Sequence, residues 1–319
     1  MKVDKLLEQV YEPILPSLHK VEEEIVNRLS IDYDFPLKKY ISMGKRLRPA
    51  SLLFMARAYT GLERGAIILA TAIELIHASS LIHDDIVDEA QFRRDNLALN
   101  YRFGNSVAVL AGDFVFSRAI MATNELRNPD IMDVFLSSVL VMVEGEFLEE
   151  ILKFEDRLKE DFYYKVIYKK TASLFEASFK LGALWRGMNS EVQETARKLG
   201  YNFGMAYQII DDCEDLFSDT DSDISLEKIT LPVIGALINS SNHHEISLDM
   251  ELEELKRFVI ENDGYEYALG KAKVFLDNGI KLLEKLPDRD VVENLENFYN
   301  YLNYKREEVL KGVLNASSA

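Results

Sequence analysis

The chain has 319 residues, enough for one large helical domain or two domains of ordinary size. Its formal net charge of −17 at pH 7 argues against nucleic acid as a partner, because phosphate backbones are bound by clustered Lys and Arg. With 15 glycines, 7 prolines and one cysteine, the composition favours helices over a β-rich or α/β fold and excludes an internal disulfide.

The N-terminal stretch MKVDKLLEQVYEPIL is amphipathic and lacks the apolar core of a secretory signal. No uncharged apolar run reaches the roughly 18 residues that a spanning helix requires. The longest such stretches, 66–73 and 134–143, end at Glu74 and Glu144. We therefore expect a cytoplasmic protein without a membrane span.

Hydrophobic residues recur with a helical period along almost the whole chain, which predicts an all-α fold. The predicted helices are 3–28, 37–42, 47–60, 64–90, 106–126, 130–152, 159–187, 191–217, 226–240, 249–261, 263–286 and 290–312. Turn signals at Asn128-Pro129-Asp130 and Leu286-Pro287-Asp288 separate some of them. Since no repeat or linker interrupts the pattern, we expect a single domain over residues 1–319.

The first chemically suggestive motif is GKRLRP, which begins at Gly44 and opens a predicted helix. Lys45 and Arg48 lie three residues apart, on one face of that helix. Helix N-termini carry unpaired N–H groups and partial positive charge, so two added cations favour a diphosphate site. The alternative is that both are ordinary surface bases.

Two acidic clusters of one form, DDIVD and DDCED, follow apolar helices. Their aspartates are Asp84, Asp85 and Asp88 in the first cluster, and Asp211, Asp212 and Asp215 in the second. Residues at i and i+4 share a helix face, and neighbouring carboxylates repel each other unless a cation lies between them. Mg²⁺ takes one or two carboxylates and completes its shell with water and substrate phosphate, so facing clusters would hold a diphosphate. Among 54 acidic residues, one such cluster alone could equally be a solvated face.

Basic and polar residues accompany the first cluster. His77 precedes Asp84 by seven residues on the same side of the helix, where the alternative is a buried histidine with a hydrogen-bond partner. Arg93 and Arg94 follow the cluster, and guanidinium groups make forked contacts with phosphate oxygens.

The second cluster has neighbours of the same kind. They are Lys169, Lys170, Thr171, Gln208 and Lys228. The two lysines introduce another apolar helix, and Gln208 lies within reach of the helix face that carries Asp211. Each signal is weak by itself, and their order along the chain is what carries information.

The order GKRLRP, HASSLIHDDIVDEAQFRR, AGDF, KKTA, YQIIDDCEDLFSD and KITLP resembles the trans-prenyl diphosphate synthases over about Gly44 to Pro232. The resemblance implies the isoprenoid synthase fold, a large antiparallel helix bundle around a deep central cavity, usually as a homodimer. It implies a Mg²⁺-dependent prenyltransferase that condenses isopentenyl diphosphate with an allylic diphosphate.

The resemblance also implies a role for each matched residue. The six aspartates would hold about three Mg²⁺ ions on the allylic diphosphate, which Arg93 and Lys170 would contact. Isopentenyl diphosphate would be bound by Lys45, Arg48, His77 and Arg94. Thr171, Gln208 and Lys228 would complete the substrate-binding set.

The chain departs from the family pattern in two places. The family usually carries a longer loop with a Gly-Lys pair after the second cluster, whereas SDTDSDISLEK has no basic residue before Lys228. The glutamine usual in the GEILQ motif is Glu149 in GEFLE. We therefore expect a weaker hold on the allylic substrate, within the same reaction class.

Product length is indicated by the residues four and five before the first cluster, which form the cavity floor in the family. They are Ser80 and Ser79, both small, with Ile76 on the next turn down. An open floor predicts products of C20 or longer, and Ser79→Phe is expected to shorten them.

Three alternatives remain. A class I terpene cyclase shares the first cluster but needs neither GKRLRP nor a second DDxxD. A weakly active or regulatory subunit of a heteromeric prenyl synthase would explain the missing lysine. A helical metal-binding or interaction protein is the third, and the motif order argues against it.

Overall fold

The computed structural model describes residues 5–31, 35–41, 44–56, 63–93, 96–151, 154–217, 229–240 and 250–317. Its helices up to residue 151 are α1 (Lys5–Tyr11), α2 (Leu15–Arg28), α3 (Leu37–Ile41), α4 (Leu47–Ala56), α5 (Glu63–Val87), α6 (Leu99–Phe103), α7 (Asn105–Glu125) and α8 (Pro129–Ile151). The later helices are α9 (Phe154–Arg157), α10 (Glu160–Ile167), α11 (Ser173–Trp185), α12 (Ser190–Phe217), α13 (Leu231–Asn239), α14 (Leu252–Glu261), α15 (Gly264–Leu283) and α16 (Arg289–Ser317).

The predicted all-α class is confirmed, with five local differences, two of which are the unpredicted short helices α6 and α9. A 3₁₀ turn, Glu12–Ile14, which contains a proline, divides the predicted first helix. One turn of π-helix, Tyr168–Ala172, lies between α10 and α11. A two-stranded antiparallel sheet, β1 (Phe92–Arg93) with β2 (Asn96–Leu97), follows the first acidic cluster. Segments this short carry no periodicity from which to predict them.

The turn signals mark helix starts as predicted. Asn128 accepts a hydrogen bond at Oδ1 from the backbone N–H of Ile131, 3.2 Å away, at the start of α8. Asp288 accepts bonds at Oδ1 from the N–H groups of Asp290 and Val291 at the start of α16. Side-chain oxygens satisfy N–H groups that have no partner within the helix.

Chain contacts divide the molecule into two compact units. The first comprises Met1–Val139, Ala177–Arg197 and Leu286–Leu295, and the second comprises Leu140–Glu176, Lys198–Lys285 and Glu296–Ala319. The first acidic cluster belongs to the first unit and the second cluster to the second. The single-domain organisation stays a prediction.

The core of the first unit is α5, which packs against α2, α4 and α7. Every residue from 65 to 76 is buried, as expected of a helix that is apolar nearly all round. By length and composition alone, Arg64–Val87 and Asn105–Glu125 could cross a membrane. In α5, 83% of the most apolar window is buried, which is typical of a core helix. The absence of a membrane span stays a prediction.

The second unit has an aromatic core between α12 and α16. The rings of Phe203 and Phe298 stack with centroids 4.3 Å apart. The hydroxyl of Tyr299 donates a 2.5 Å hydrogen bond to the carbonyl of Leu199. Such contacts hold α12, whose last turns carry the second acidic cluster.

Candidate active site

The first acidic cluster lies at the C-terminal end of α5. Asp84 and Asp85 belong to the last turn, and Asp88 follows it in an exposed position. The C-terminus of a helix carries partial negative charge, so three carboxylates here are disfavoured both by the helix and by one another. A bound cation relieves both repulsions.

The middle aspartate of this cluster faces the protein. Asp85 is 4% exposed and pairs with Arg93, whose Nε lies 2.7 Å from Oδ1. Arg93 reaches it from β1, and the Asn100 side chain donates a 2.8 Å hydrogen bond to the backbone carbonyl of Asp85. Asp85 and Arg93 were assigned to a metal and to a diphosphate from the sequence, and here they contact each other.

Arg48 lies in the first turn of α4, whereas Lys45 precedes the helix by two residues. The prediction that both cations share one face of this helix was therefore wrong, because the left-handed backbone of Arg46 lies between Lys45 and the helix. Arg48 places Nη1 3.2 Å from Nε2 of His77, so two residues predicted to bind isopentenyl diphosphate are in contact. The hydroxyl of Tyr11 donates a 2.7 Å hydrogen bond to the carbonyl of Lys45 and holds the start of this segment.

Sequence reasoning missed Arg46, which lies between these two cations. Arg46 is 3% exposed, has a positive φ of 57°, and pairs with Glu74 and with Glu22, 2.7 Å away. Burial works to lower the guanidinium pKa, but the two carboxylates outweigh it and raise the pKa. The single acid in the apolar stretch ILATAIELIH was a usable signal, because a buried carboxylate requires a partner.

A pocket in the first unit brings several predicted residues together. Its volume of about 440 Å³ includes open solvent at its mouth. The lining residues are Tyr40, Ile41, Glu74, His77, Ala78, Leu81, Ile82, Asp85, Arg93 and Leu99. His77, predicted to bind isopentenyl diphosphate, therefore shares a pocket with the Asp85–Arg93 pair.

The predicted floor residues lie on α5 but do not line this pocket. Ser79 is 2% exposed and donates a 2.9 Å hydrogen bond to the carbonyl of Gly112 on α7. Ser80 is half-buried and donates to the carbonyl of His77, and Ile76 is buried. Their role in product length stays a prediction.

The second acidic cluster lies near the C-terminal end of α12, again at the negative end of a helix. Its middle member, Asp212, accepts a 2.6 Å hydrogen bond from the hydroxyl of Tyr163 and a 2.8 Å bond from the side-chain amide of Gln208. Thr171 donates to the amide oxygen of Gln208, 2.7 Å away. Gln208 and Thr171 are thus joined to the cluster through Asp212, and their role in substrate binding stays a prediction, whereas Tyr163 was missed.

The pKa of Asp212 lies well above that of an ordinary aspartate. Burial raises the pKa of Asp212 to about 7, and the neighbouring charges of Asp211 and Asp215 add to the rise. The hydrogen bonds from Tyr163 and Gln208 act in the opposite direction. Without a bound cation, this carboxyl group therefore keeps its proton to a higher pH than an ordinary aspartate.

The glutamate of DDCED, Glu214, contacts another helix of the protein. Glu214 pairs with Lys305 of α16, 2.5 Å away, and Cys213 is fully buried. Asp211 and Asp215 lie four residues apart on another face of α12, half-buried and exposed respectively. The spacing thus separates residues that anchor the helix from a pair suited to bind a cation.

Lys170 lies in the π-helical turn between α10 and α11. It forms ion pairs with Glu149 and with Glu146 of α8, the latter at 2.7 Å. The close approach of α12 to this turn depends on Gly204, since a Cβ there would lie 2.6 Å from the Cα of Ala172. Arg94 and Lys228 lie outside the described residues.

Among the described residues, no group of three or more His, Cys, Asp or Glu side chains is arranged to hold a metal ion by itself. The donors that the helices do offer are pairs of carboxylates at i and i+4. Such pairs fit Mg²⁺, which takes one or two carboxylates and completes its shell with water and phosphate oxygens.

Comparison with known proteins identifies the class. The profile of the polyprenyl synthetase family matches residues 33–259. The crystal structure of a decaprenyl diphosphate synthase from Rhodobacter capsulatus has a TM-score of 0.85 and 27% identity, covering 95% of this chain and 99% of that one. A polyprenyl synthase from Caulobacter crescentus, crystallised with calcium and isoprenyl diphosphate, has a TM-score of 0.83 and 26% identity over 93% of this chain and 97% of its own.

Sequence relatives agree. The octaprenyl diphosphate synthase of Escherichia coli is 31% identical over 303 residues, 88% of this chain and 94% of that protein. The decaprenyl-diphosphate synthase of Dictyostelium discoideum is 32% identical over 288 residues, 86% of this chain but only 61% of that longer protein. The chain belongs to the polyprenyl synthetase family, a family of metal-using prenyltransferases with the all-α isoprenoid synthase fold. The predicted recognition and fold are therefore confirmed.

Proposed function

We propose that this chain is a Mg²⁺-dependent trans-prenyltransferase that condenses isopentenyl diphosphate with an allylic diphosphate to give a polyprenyl diphosphate of C20 or longer. The observation that carries the proposal is the pocket that His77 shares with Asp85 and Arg93. It combines, within one unit, His77, which is expected at the isopentenyl site, with Asp85 of the first acidic cluster and its partner Arg93.

Different residues of the chain bind the two substrates. Lys45, Arg48, His77 and Arg94 hold isopentenyl diphosphate. Of the six aspartates that the sequence assigns to metal, the outer ones of each cluster hold about three Mg²⁺ ions on the allylic diphosphate, because the middle aspartates already have protein partners. Arg93 and Lys170 contact the same diphosphate, and Lys228 belongs to the substrate-binding set. Thr171 and Gln208 keep Asp212 in place through the observed hydrogen bonds. When bound, Mg²⁺ supplies the positive charge that makes the diphosphate a leaving group.

The reaction needs positioning and the exclusion of water more than a protein base. The C–O bond of the allylic diphosphate breaks, and pyrophosphate leaves with the electron pair. The double bond of isopentenyl diphosphate attacks the allylic carbon, and the proton lost afterwards passes to pyrophosphate. Holding the two substrates side by side in an apolar environment supplies much of the rate and prevents hydrolysis.

Product length beyond fifteen carbons is supported by small Ser79 and Ser80 and by the names of relatives. Those names include octaprenyl and decaprenyl diphosphate synthases, and also a geranylgeranyl diphosphate synthase from Methanosarcina mazei. The plant relatives are named as mitochondrial or chloroplastic, so a cytoplasmic location stays a proposal.

The test is to incubate the purified chain with Mg²⁺, isopentenyl diphosphate and dimethylallyl, geranyl or farnesyl diphosphate in turn. We expect pyrophosphate release and linear products of twenty or more carbons from the chain alone. Activity only after addition of a second polypeptide would support the subunit of a heteromeric synthase instead. Cyclic hydrocarbons formed without consumption of isopentenyl diphosphate would indicate a terpene cyclase.

We further propose a homodimer, supported by an apolar stripe on α8. Leu140, Val143, Phe147 and Ile151 recur at three- and four-residue spacing and are 45–73% exposed. Contiguous apolar surface of this kind is typical of an interface. Light scattering after gel filtration should give twice the chain mass of 36.6 kDa, and Phe147→Glu should reduce it towards one chain. A wild-type monomer would contradict the proposal.

A further inference from the structure

Lys170 is held by two carboxylates from a neighbouring helix. Its ammonium group lies 2.7 Å from Oε2 of Glu146 and forms a still closer ion pair with Glu149. The three side chains are 23%, 31% and 26% exposed, so each is partly shielded from water. Shielding makes these pairs stronger than fully exposed ones, because screening by water is reduced.

The contact between α8 and the π-helical turn depends on a glycine. A Cβ on Gly145 of α8 would lie 2.8 Å from the Cβ of Lys169 and 2.9 Å from the backbone nitrogen of Lys170. The lack of a side chain at Gly145 therefore lets α8 approach the π-helical turn closely. Lys169 pairs with Glu144 in the same contact, so three carboxylates face two ammonium groups.

Glu146 and Glu149 compensate the positive charge of Lys170. Burial of the ammonium works to lower its pKa, but the charges of Glu149 and Glu146 outweigh burial and leave the pKa above its ordinary value. Lys170 therefore stays protonated at neutral pH, yet its charge is already compensated by carboxylates. An anionic ligand that needs this cation must compete with them.

We propose that Glu149 is an affinity-determining residue for the allylic diphosphate, acting by holding Lys170 so that the diphosphate must replace Glu149 as its partner. The inference rests on the proposed function and adds to it a residue that opposes substrate binding. Exchange of one ion pair for another yields only the difference between them. The amide of Gln at this position can still accept a hydrogen bond from Lys170 but carries no charge to compete with phosphate.

The experiment compares wild type with Glu149→Gln by calorimetric titration with an unreactive geranyl thiolodiphosphate in the presence of Mg²⁺. Glu150→Gln is the matched control, since Glu150 is the next, exposed residue of α8 and the variant changes the net charge equally. We expect Glu149→Gln to bind the analogue about two- to tenfold more tightly. Glu150→Gln should bind the analogue with wild-type affinity. Every variant should bind isopentenyl diphosphate as tightly as wild type does.

A double variant tests whether Glu149 acts through Lys170. In a Lys170→Met background, Glu149→Gln should leave the affinity for the analogue unchanged. Thermal unfolding of each variant checks that the fold is kept, and a merely structural role for Glu149 would weaken binding rather than strengthen it.

Each outcome bears on a different claim. Unchanged or weaker binding by Glu149→Gln, with normal binding by wild type, overturns the role of Glu149 and leaves the proposed function intact. A gain that persists in the Lys170→Met background also overturns it. If folded wild type and Glu149→Gln neither bind the analogue nor release pyrophosphate, the proposed function and this inference both fail.

Discussion

The two acidic clusters have the same spacing but neutralise their middle aspartate in different ways. Asp85 is paired with a guanidinium group, that of Arg93. Asp212 is held by two neutral donors, Tyr163 and Gln208, and its pKa is raised to about 7. In both clusters the middle carboxylate has protein partners. We therefore expect only the outer acids of each cluster to bind metal.

The largest effect should come from the outer acids. Asp84→Asn and Asp211→Asn each remove a carboxylate from an i, i+4 pair, and we expect the turnover rate to fall by roughly 10³-fold or more. EDTA should abolish the turnover of wild type, because the clusters repel a diphosphate unless cations lie between them. Steady-state rates of product formation measure both effects.

The control for these variants is Asp133→Asn, which removes an exposed acid of α8 and should keep the wild-type rate. Circular dichroism should show that all three variants remain folded. Undiminished turnover in EDTA would contradict the metal hypothesis for both clusters together.

Substitutions of the two middle acids should differ in their effect on the free energy of unfolding. Asp85→Asn removes the charge that pairs with Arg93, and we expect the free energy of unfolding to fall by about 1–2 kcal/mol, since Arg93 remains partly solvated. Asp212→Asn should not lower it near pH 6, because its partners are neutral, the Tyr163 hydroxyl can accept a hydrogen bond from the amide, and the amide needs no proton on folding. Urea unfolding without metal measures both, and equal costs would remove the contrast.

Asp212 should also make stability depend on pH. Its folded pKa of about 7 lies above the ordinary value of 3.8, so between these values the folded chain holds a proton that the unfolded chain has released. Its contribution is fully present below about pH 4 and is lost as pH rises towards and through 7. In EDTA, wild type should therefore lose unfolding free energy relative to Asp212→Asn as the pH rises from 5 to 8. A pH-independent difference would show that the pKa is not raised.

Sequence reasoning named Arg93, Gln208 and Thr171 but not their contacts around the middle acids, and it missed Tyr163. The clusters, GKRLRP and the helices around them follow from local spacing, which a chain displays directly. The partners of the middle acids do not, because Tyr163 and Asp212 lie 49 residues apart and meet only through the packing of α10 and α12. Arg93 reaches Asp85 through a sheet of two-residue strands, which leaves no periodic signal.

The last and smallest effect concerns product length, and it tests a role that only the helix of the first cluster is expected to have. The sequence favoured Ser79→Phe as the variant that closes the floor, but Ser79 is buried and bonded to the carbonyl of Gly112. A phenylalanine there must displace α7, so we expect a loss of stability of about 1–3 kcal/mol in place of a clean change in product. Ser80 is the better position, because it is half-buried and bonds only within its own helix in the described contacts.

Ser80→Phe should shorten the main product by at least one isoprene unit, since one unit spans about the 5.4 Å of a helical turn. The first condensation should keep its rate within about threefold, because the side chain of residue 80 lies one turn from Asp84 rather than among the diphosphate contacts. Chromatography of the dephosphorylated products measures the change, with Ser80→Ala as the control that leaves the floor open. If Ser80→Phe and Ser80→Ala give the same product length, the floor does not lie on this face of α5, and the length of the chain must be limited by residues of another helix.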